Sequence, residues 1–195
     1  MTSLLVCRHG TTDWNIEGRY QGQSDVPLNQ QGLQQAEALA EELALNPIDA
    51  IYASALQRAW RTAEATARRH NLPIKRDARL NEVNLGIWEG LTRAEIVAAY
   101  AEEHTFWVEH PLEARPPGGE SIDEVRLRVR NVLLDIGFAW PDGSVMIVTH
   151  KVTMNIIESL TTGQPLEEVL QVFPVNGSVI RLEMTTPMSE AAKLT

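Results

Sequence analysis

What most restricts this chain is a set of short, continuous apolar runs, each cut off by polar residues. Leu4-Leu5-Val6-Cys7 stops at Arg8-His9-Gly10, and the run Ser144–Thr149 stops at His150. Short runs without polar alternation read as strands buried on both faces, as in a helix-covered parallel sheet. Ile48–Ala53, Ile74–Asp77 and Val179–Leu182 supply further strands. Between them apolar residues recur at helical spacing. Leu33, Ala36, Ala40 and Leu43 predict a helix over about Gln30–Leu45 with Asn29 as N-cap. Ala55–His70, stopped by Asn71 and Pro73, Thr92–His104, a long segment from Ile122 to Ile136, and Val152–Leu160 are the other helices. This alternation predicts an α/β fold, a three-layer αβα sandwich with a mostly parallel central sheet. One domain is expected over residues 1–184, with a small helical cap insertion at about 91–116 and a frayed tail at 185–195.

The 195 residues suffice for one such domain, and 44% are hydrophobic, enough for a core. Lys and Arg number 17 against 26 Asp and Glu, a formal charge of −9. That balance excludes duplex nucleic acid and anionic membranes as main partners, because both need a basic face. The single cysteine, Cys7, rules out an internal disulfide and a CxxC pair. No apolar run approaches the ~20 residues of a membrane span. Leu4–Cys7 is too short for a secretory signal, and no basic residue precedes it. A cytoplasmic protein is expected. No repeat or low-complexity segment appears, and the sequence marks no oligomer interface, which leaves a dimer open.

Ligands of open parallel sheets bind beyond the carboxyl ends of the strands. Two strands here end in histidine, His9 and His150, with Arg8 beside the first. The bland reading is two unrelated core or capping histidines, but the doubling, with Gly10 allowing close backbone approach, favours convergence on one anion. Ser54-Ala55-Leu56-Gln57-Arg58 follows a third strand, placing Arg58 near a helix N-terminus, an anion-binding arrangement. A carboxylate at Glu82 or Glu89, among Leu85, Ile87 and Trp88, is placed to act as an acid.

These motifs resemble the histidine phosphatase superfamily, the phosphoglycerate-mutase-like group with an Arg-His-Gly signature. The resemblance is carried by Arg8-His9-Gly10-Thr11-Thr12 with Trp14-Asn15, Gly18-Arg19-Tyr20-Gln21-Gly22, and Ser54 with Arg58-Ala59. It continues through Glu82 with Trp88-Glu89-Gly90, Pro117-Gly118-Gly119-Glu120-Ser121, and Val148-Thr149-His150. It implies that His9 is the nucleophile and forms a phosphohistidine. Arg8, Arg58 and His150 would bind the equatorial oxygens, with Asn15, Gln21 and the Gly22 N–H also on the substrate. Glu82, rather than Glu89, would be the acid and then the base. No cofactor and no metal are implied, because guanidinium and imidazole supply the positive charge. The expected activity is metal-independent hydrolysis of small phosphomonoesters. The short 91–116 insertion favours this over a cofactor-dependent phosphoglycerate mutase.

Two positions depart from the pattern. Thr11 stands where the family usually carries an acid or amide that contacts substrate. Lys151 follows His150 where many members have Gly. It either receives a second anionic group of the substrate or points to solvent. Metal-independent phosphoserine phosphatases of the family share the Arg-Tyr-Gln-Gly motif and lack that Gly, so phosphoserine is a first candidate substrate. α-Ribazole phosphate, phosphoglycerates and sugar phosphates stay open.

Other readings fare worse. A cysteine phosphatase at Cys7 would place an arginine at position 13, which is Asp. No phosphate-cradling GxxxxGK[ST] loop occurs. A metal hydrolase of His9, Asp13, Glu82 and His150 would set a divalent cation against arginines. A non-catalytic phosphate-binding regulatory module would have no use for Glu82. His104 and His110 are expected to be solvated, His70 to end a helix, and Arg126, Arg128 and Arg130 to lie off the apolar stripe of theirs.

Overall fold

The computed structural model describes residues 1–185. Of the expected frayed tail, all but Thr185 lies outside the described residues. In chain order the elements are β1 (Thr2–Arg8), α1 (Asp13–Glu17), α2 (Gln30–Glu42), β2 (Ala50–Ser54), α3 (Gln57–His70) and β3 (Ile74–Asp77). Next come α4 (Arg93–Ala99), α5 (Ala101–Glu109), α6 (Ile122–Ala139), β4 (Ser144–Thr149), α7 (Lys151–Thr162), α8 (Leu166–Leu170) and β5 (Val179–Met184).

The five strands form one sheet in the order β3-β2-β4-β1-β5. All neighbours are parallel except β5, which runs antiparallel to β1. The unbroken apolar run of β1 has a simple cause: its alternate residues serve two cores. Leu4 and Val6 pack with Val129 and Ile136 of α6 and Met154 and Ile157 of α7. Leu5 and Cys7 pack with Leu39 of α2, Leu43 just beyond it, and Ala59 and Ala63 of α3. A polar residue at any of these positions would be buried without water. The expected α/β architecture with helices on both faces is present.

Two expectations change, and two short helices are added. The helix predicted at Thr92–His104 is two helices, broken at Tyr100 (φ −141°, ψ 47°). The Tyr100 N–H closes α4 on Ile96 O at 2.7 Å, and its carbonyl accepts the His104 N–H at 3.0 Å to start α5. That turn lays His104 against the Trp88 ring, centroids 5.9 Å apart. His104 is therefore not solvated; it is 3% exposed, and Tyr20 Oη lies 3.0 Å from its Nε2. Burial, with Arg93 nearby, holds its pKa below the usual value. Lastly, α1 and α8 had no periodic signal, since five residues are too few to show one. A Thr12–Asn15 capping box starts the first, and Pro165 precedes the second.

Candidate active site

The register of the parallel pair β1–β4 places Arg8 opposite Thr149. The next residue on each strand, His9 and His150, thus leaves the sheet beside its counterpart, ring centroids 5.0 Å apart. From β1 the chain leaves toward β2, and from β4 it leaves toward β5, so the gap between them is a topological switch point. His9 is 3% exposed and His150 fully buried. The His9 Nδ1–H donates to Gly10 O at 2.6 Å, which leaves Nε2 with its lone pair. Asn176 Nδ2 donates to His9 O (3.0 Å) and the Gly177 N–H to Arg8 O (3.1 Å), so the loop before β5 pins this backbone. Gly10 allows close approach to the α2 backbone rather than to an anion: a Cβ there would lie 2.5 Å from Gly32 O.

Burial, then the charge of Arg58, pushes both histidines well below their usual pKa, and they stay neutral at pH 7. A neutral buried imidazole with a depressed pKa contributes its full stability above the unfolded-state value near 6.5. That stability is lost as pH falls from there toward the folded values. Unfolding free energies from urea titrations should therefore drop between pH 7 and 5, by up to about 1.4 kcal/mol per histidine per pH unit. His150→Gln should flatten the slope, and an unaltered slope in that variant would contradict the assignment.

Arg58, the second residue of α3, is 1% exposed and reaches across the switch point. Its Nε–H donates to His150 Nδ1 (3.2 Å), one Nη to Ser24 O (2.7 Å) and the other to Gly22 O (2.7 Å). With Nδ1 accepting, His150 carries its proton on Nε2 and donates to Ser54 Oγ at 2.8 Å. Ser54 in turn donates to Asn81 Oδ1 at 2.8 Å. Both nitrogens of His150 are thus engaged within the protein, and His150 lies behind the cavity wall rather than in it. The α3 N-terminus, expected as an anion seat, is taken by Asp25, whose Oδ1 accepts the Gln57 N–H at 2.7 Å. Two N–H groups of Arg58 stay uncommitted, and burial pulls its pKa only to about 10, so it is cationic.

Arg8, Asn15, Gln21 and Gly22 line the same cavity as His9, Arg58 and Glu82. Arg8 donates one Nη to Pro174 O, while its Nε is buried without a partner among the described residues. Gln21 Oε1 is likewise buried and unpartnered. Thr12 donates to Asn15 Oδ1 from its N–H (3.0 Å) and hydroxyl (3.1 Å), which turns the Asn15 amide nitrogen toward the cavity. Gly22 has φ +51°, and a Cβ there would strike Glu89. Thr11 does not face the cavity. Its N–H and hydroxyl both donate to Gln35 of α2, at 2.7 and 2.9 Å.

The two candidate acids occupy different places. Glu82 lines the cavity, and its carboxylate accepts the N–H groups of Val152 (3.1 Å) and Thr153 (3.3 Å) at the start of α7. Glu89 lies outside, holding the Gln21–Ser24 loop through Gln23 N (2.8 Å) and Ser24 Oγ (2.7 Å). One support was missed by periodicity. Arg128 of α6, off the apolar stripe, turns inward and donates to the carbonyls of Arg79 (2.8 Å), Asn81 (2.6 Å) and Glu82 (2.9 Å). Glu120 bridges to it at 3.0 Å and also accepts the Asn84 N–H at 2.9 Å. Together they fix the backbone that carries Glu82.

The cavity holds about 390 Å³, a small-molecule volume. Its floor is cationic, and Trp107 and Val108 of α5 and Phe173 line its sides. A sheet switch point with an imidazole lone pair, two guanidiniums and a carboxylate in one cavity has the chemistry to bind and transfer a phosphoryl group. The chain belongs to the histidine phosphatase superfamily, branch 1, whose sequence profile matches residues 4–194. It is 34% identical over 168 residues to phosphoserine phosphatase 1 of Hydrogenobacter thermophilus, covering 86% of this chain and 80% of that one. A solved mycobacterial glucosyl-3-phosphoglycerate phosphatase, in complex with VO3, superposes with a TM-score of 0.85 at 32% identity, over 93% of this chain and 90% of that one. The α-ribazole phosphatase of Shigella flexneri gives 0.86 at 26% identity, over 94% and 91%. This protein is a phosphoric monoester hydrolase of that superfamily. No helix among the described residues is long and apolar enough to cross a membrane.

Proposed function

We propose that the protein hydrolyses small phosphomonoesters without a metal, through a phosphohistidine at His9. The observation that carries this reading is the single cavity holding the free Nε2 of His9, the guanidiniums of Arg8 and Arg58, and the Glu82 carboxylate. His9 Nε2 attacks phosphorus in line as the ester oxygen departs, and Glu82 protonates that oxygen. Glu82 then takes a proton from the water that cleaves the phosphohistidine, and phosphate leaves. Arg8, the uncommitted N–H groups of Arg58, the Asn15 amide and the Gly22 N–H bind the equatorial oxygens. His150 acts through Arg58, whose orientation it fixes. The 91–116 segment, holding α4 and α5, serves as the cap that selects substrates.

The test is turnover of p-nitrophenyl phosphate in excess chelator. Undiminished release of phosphate is expected, because two guanidiniums take the place of a divalent cation. Activity lost on adding chelator would replace this reading with a metal enzyme. No activity at any pH between 5 and 8 would favour a phosphate-binding module. Transfer to a second hydroxyl without release of free phosphate would favour a mutase.

A further inference from the structure

We propose that Lys151 receives a carboxylate of the substrate, so that the preferred substrates are small phosphomonoesters that also carry one carboxylate. The proposal rests on the phosphatase reading above and deepens it. Lys151 opens α7 directly after His150, and its side chain lines the cavity. Among the described residues its ammonium makes no ion pair or hydrogen bond; it sits 3.2 Å from the centroid of the Phe173 ring. That cation–π contact offsets part of the cost of burying the ammonium, but it leaves the three N–H donors without an acceptor, and an anion in the cavity would supply one.

The charge of Glu82 acts on that ammonium, but among the described residues no carboxylate contacts it. Glu82, the acidic group that lines the cavity, is held by the N–H groups of Val152 and Thr153. Arg8, the other charged neighbour, is a cation. Burial pulls the Lys151 pKa down to about 8, with Glu82 opposing the shift and Arg8 adding to it. The number of free charges sets the class. Arg19 also reaches the cavity, but its guanidinium is committed to Glu17 (2.6 Å), Glu95 (3.4 Å) and Gly90 O (2.8 Å). Beyond the phosphate floor one ammonium remains, which matches a monoanionic carboxylate and falls short of a second phosphate dianion. The Trp107, Val108 and Phe173 side adds apolar contact but no further charge.

The experiment compares matched esters that differ by one carboxylate: phosphoserine with phosphoethanolamine, and phosphoglycolate with ethyl phosphate. Each is measured for kcat/KM and as a competitor of p-nitrophenyl phosphate, so slow substrates still give a ratio. The carboxylated member should be favoured roughly tenfold or more, the effect of one charge-assisted contact. Lys151→Met should bring both ratios near one, and Lys151→Arg should retain much of the preference. A ratio near one in the native enzyme, or one unchanged in Lys151→Met, overturns the proposal. A native enzyme that favours a bisphosphorylated ester over its carboxylated counterpart also overturns it. If the native enzyme hydrolyses none of these esters, p-nitrophenyl phosphate included, the phosphatase reading itself falls.

Discussion

His9→Ala should abolish the acid-labile phosphoenzyme and lower kcat/KM by on the order of 10⁴-fold or more. The reason lies in the tautomer. The Nδ1–H of His9 is spent on Gly10 O, so Nε2 faces the cavity as a lone pair. Burial and the two arginines keep the ring neutral. Neither Cys7 nor His150 can replace it: Cys7 is fully buried with its thiol pKa pushed up, and both nitrogens of His150 are engaged. The variant keeps Arg8, Arg58 and Asn15, so phosphate should still inhibit or bind. Rapid acid quench with a ³²P-labelled ester checks this; label on the protein in His9→Ala would sink the nucleophile assignment.

The second large effect is expected of Glu82→Gln, and it should depend on the leaving group. Glutamine is nearly isosteric and can still accept from Val152 and Thr153, so the loop should hold. It cannot deliver a proton. Alkyl phosphates, whose alkoxides leave poorly, should lose roughly 10²–10⁴-fold in kcat, the usual share of general acid catalysis. p-Nitrophenyl phosphate leaves as a stable phenolate and should form the phosphoenzyme nearly as fast as before. Its turnover should then stall at hydrolysis, giving a burst of p-nitrophenolate. Equal losses on both ester types, with no burst, would assign Glu82 a merely structural part. Glu89→Gln should not show this split, since Glu89 lies outside the cavity and tethers the Gln21–Ser24 loop.

The sequence carried the sheet well because its signal is local. A strand buried on both faces must be apolar throughout, and β1 and β4 are. The histidines at their ends were visible for the same reason. What brings those histidines together is the pairing of Arg8 with Thr149, a contact across 141 residues that no local pattern encodes. Side-chain direction was equally hidden. Arg128 lies off the stripe of α6, yet it turns under the Glu82 backbone, because three carbonyls there need donors. His104 looked polar and exposed, but the break at Tyr100 rotates it onto Trp88. The choice between Glu82 and Glu89 was open on the residues alone and came from family resemblance. The structure adds that only Glu82 lines the cavity with His9. Thr11 stood out as a departure, yet it points at Gln35, so its difference bears on the packing of α2 rather than on ligand contact.

The place of β4 between β1 and β2 also bears on how the molecule assembles. β4 is the fourth strand in the chain, yet it fills a slot whose two walls are made far earlier. Until residue 149 arrives, Leu4–Cys7 and Ile51–Ala53 present two open, apolar edges, the kind that pair wrongly with other chains. Closing the slot needs long-range pairing on both sides, which slows folding. The same step sets His150 beside His9 and behind Arg58. Tight phosphate capture therefore requires the finished sheet, and by mass action any ligand that demands it will stabilise the folded chain.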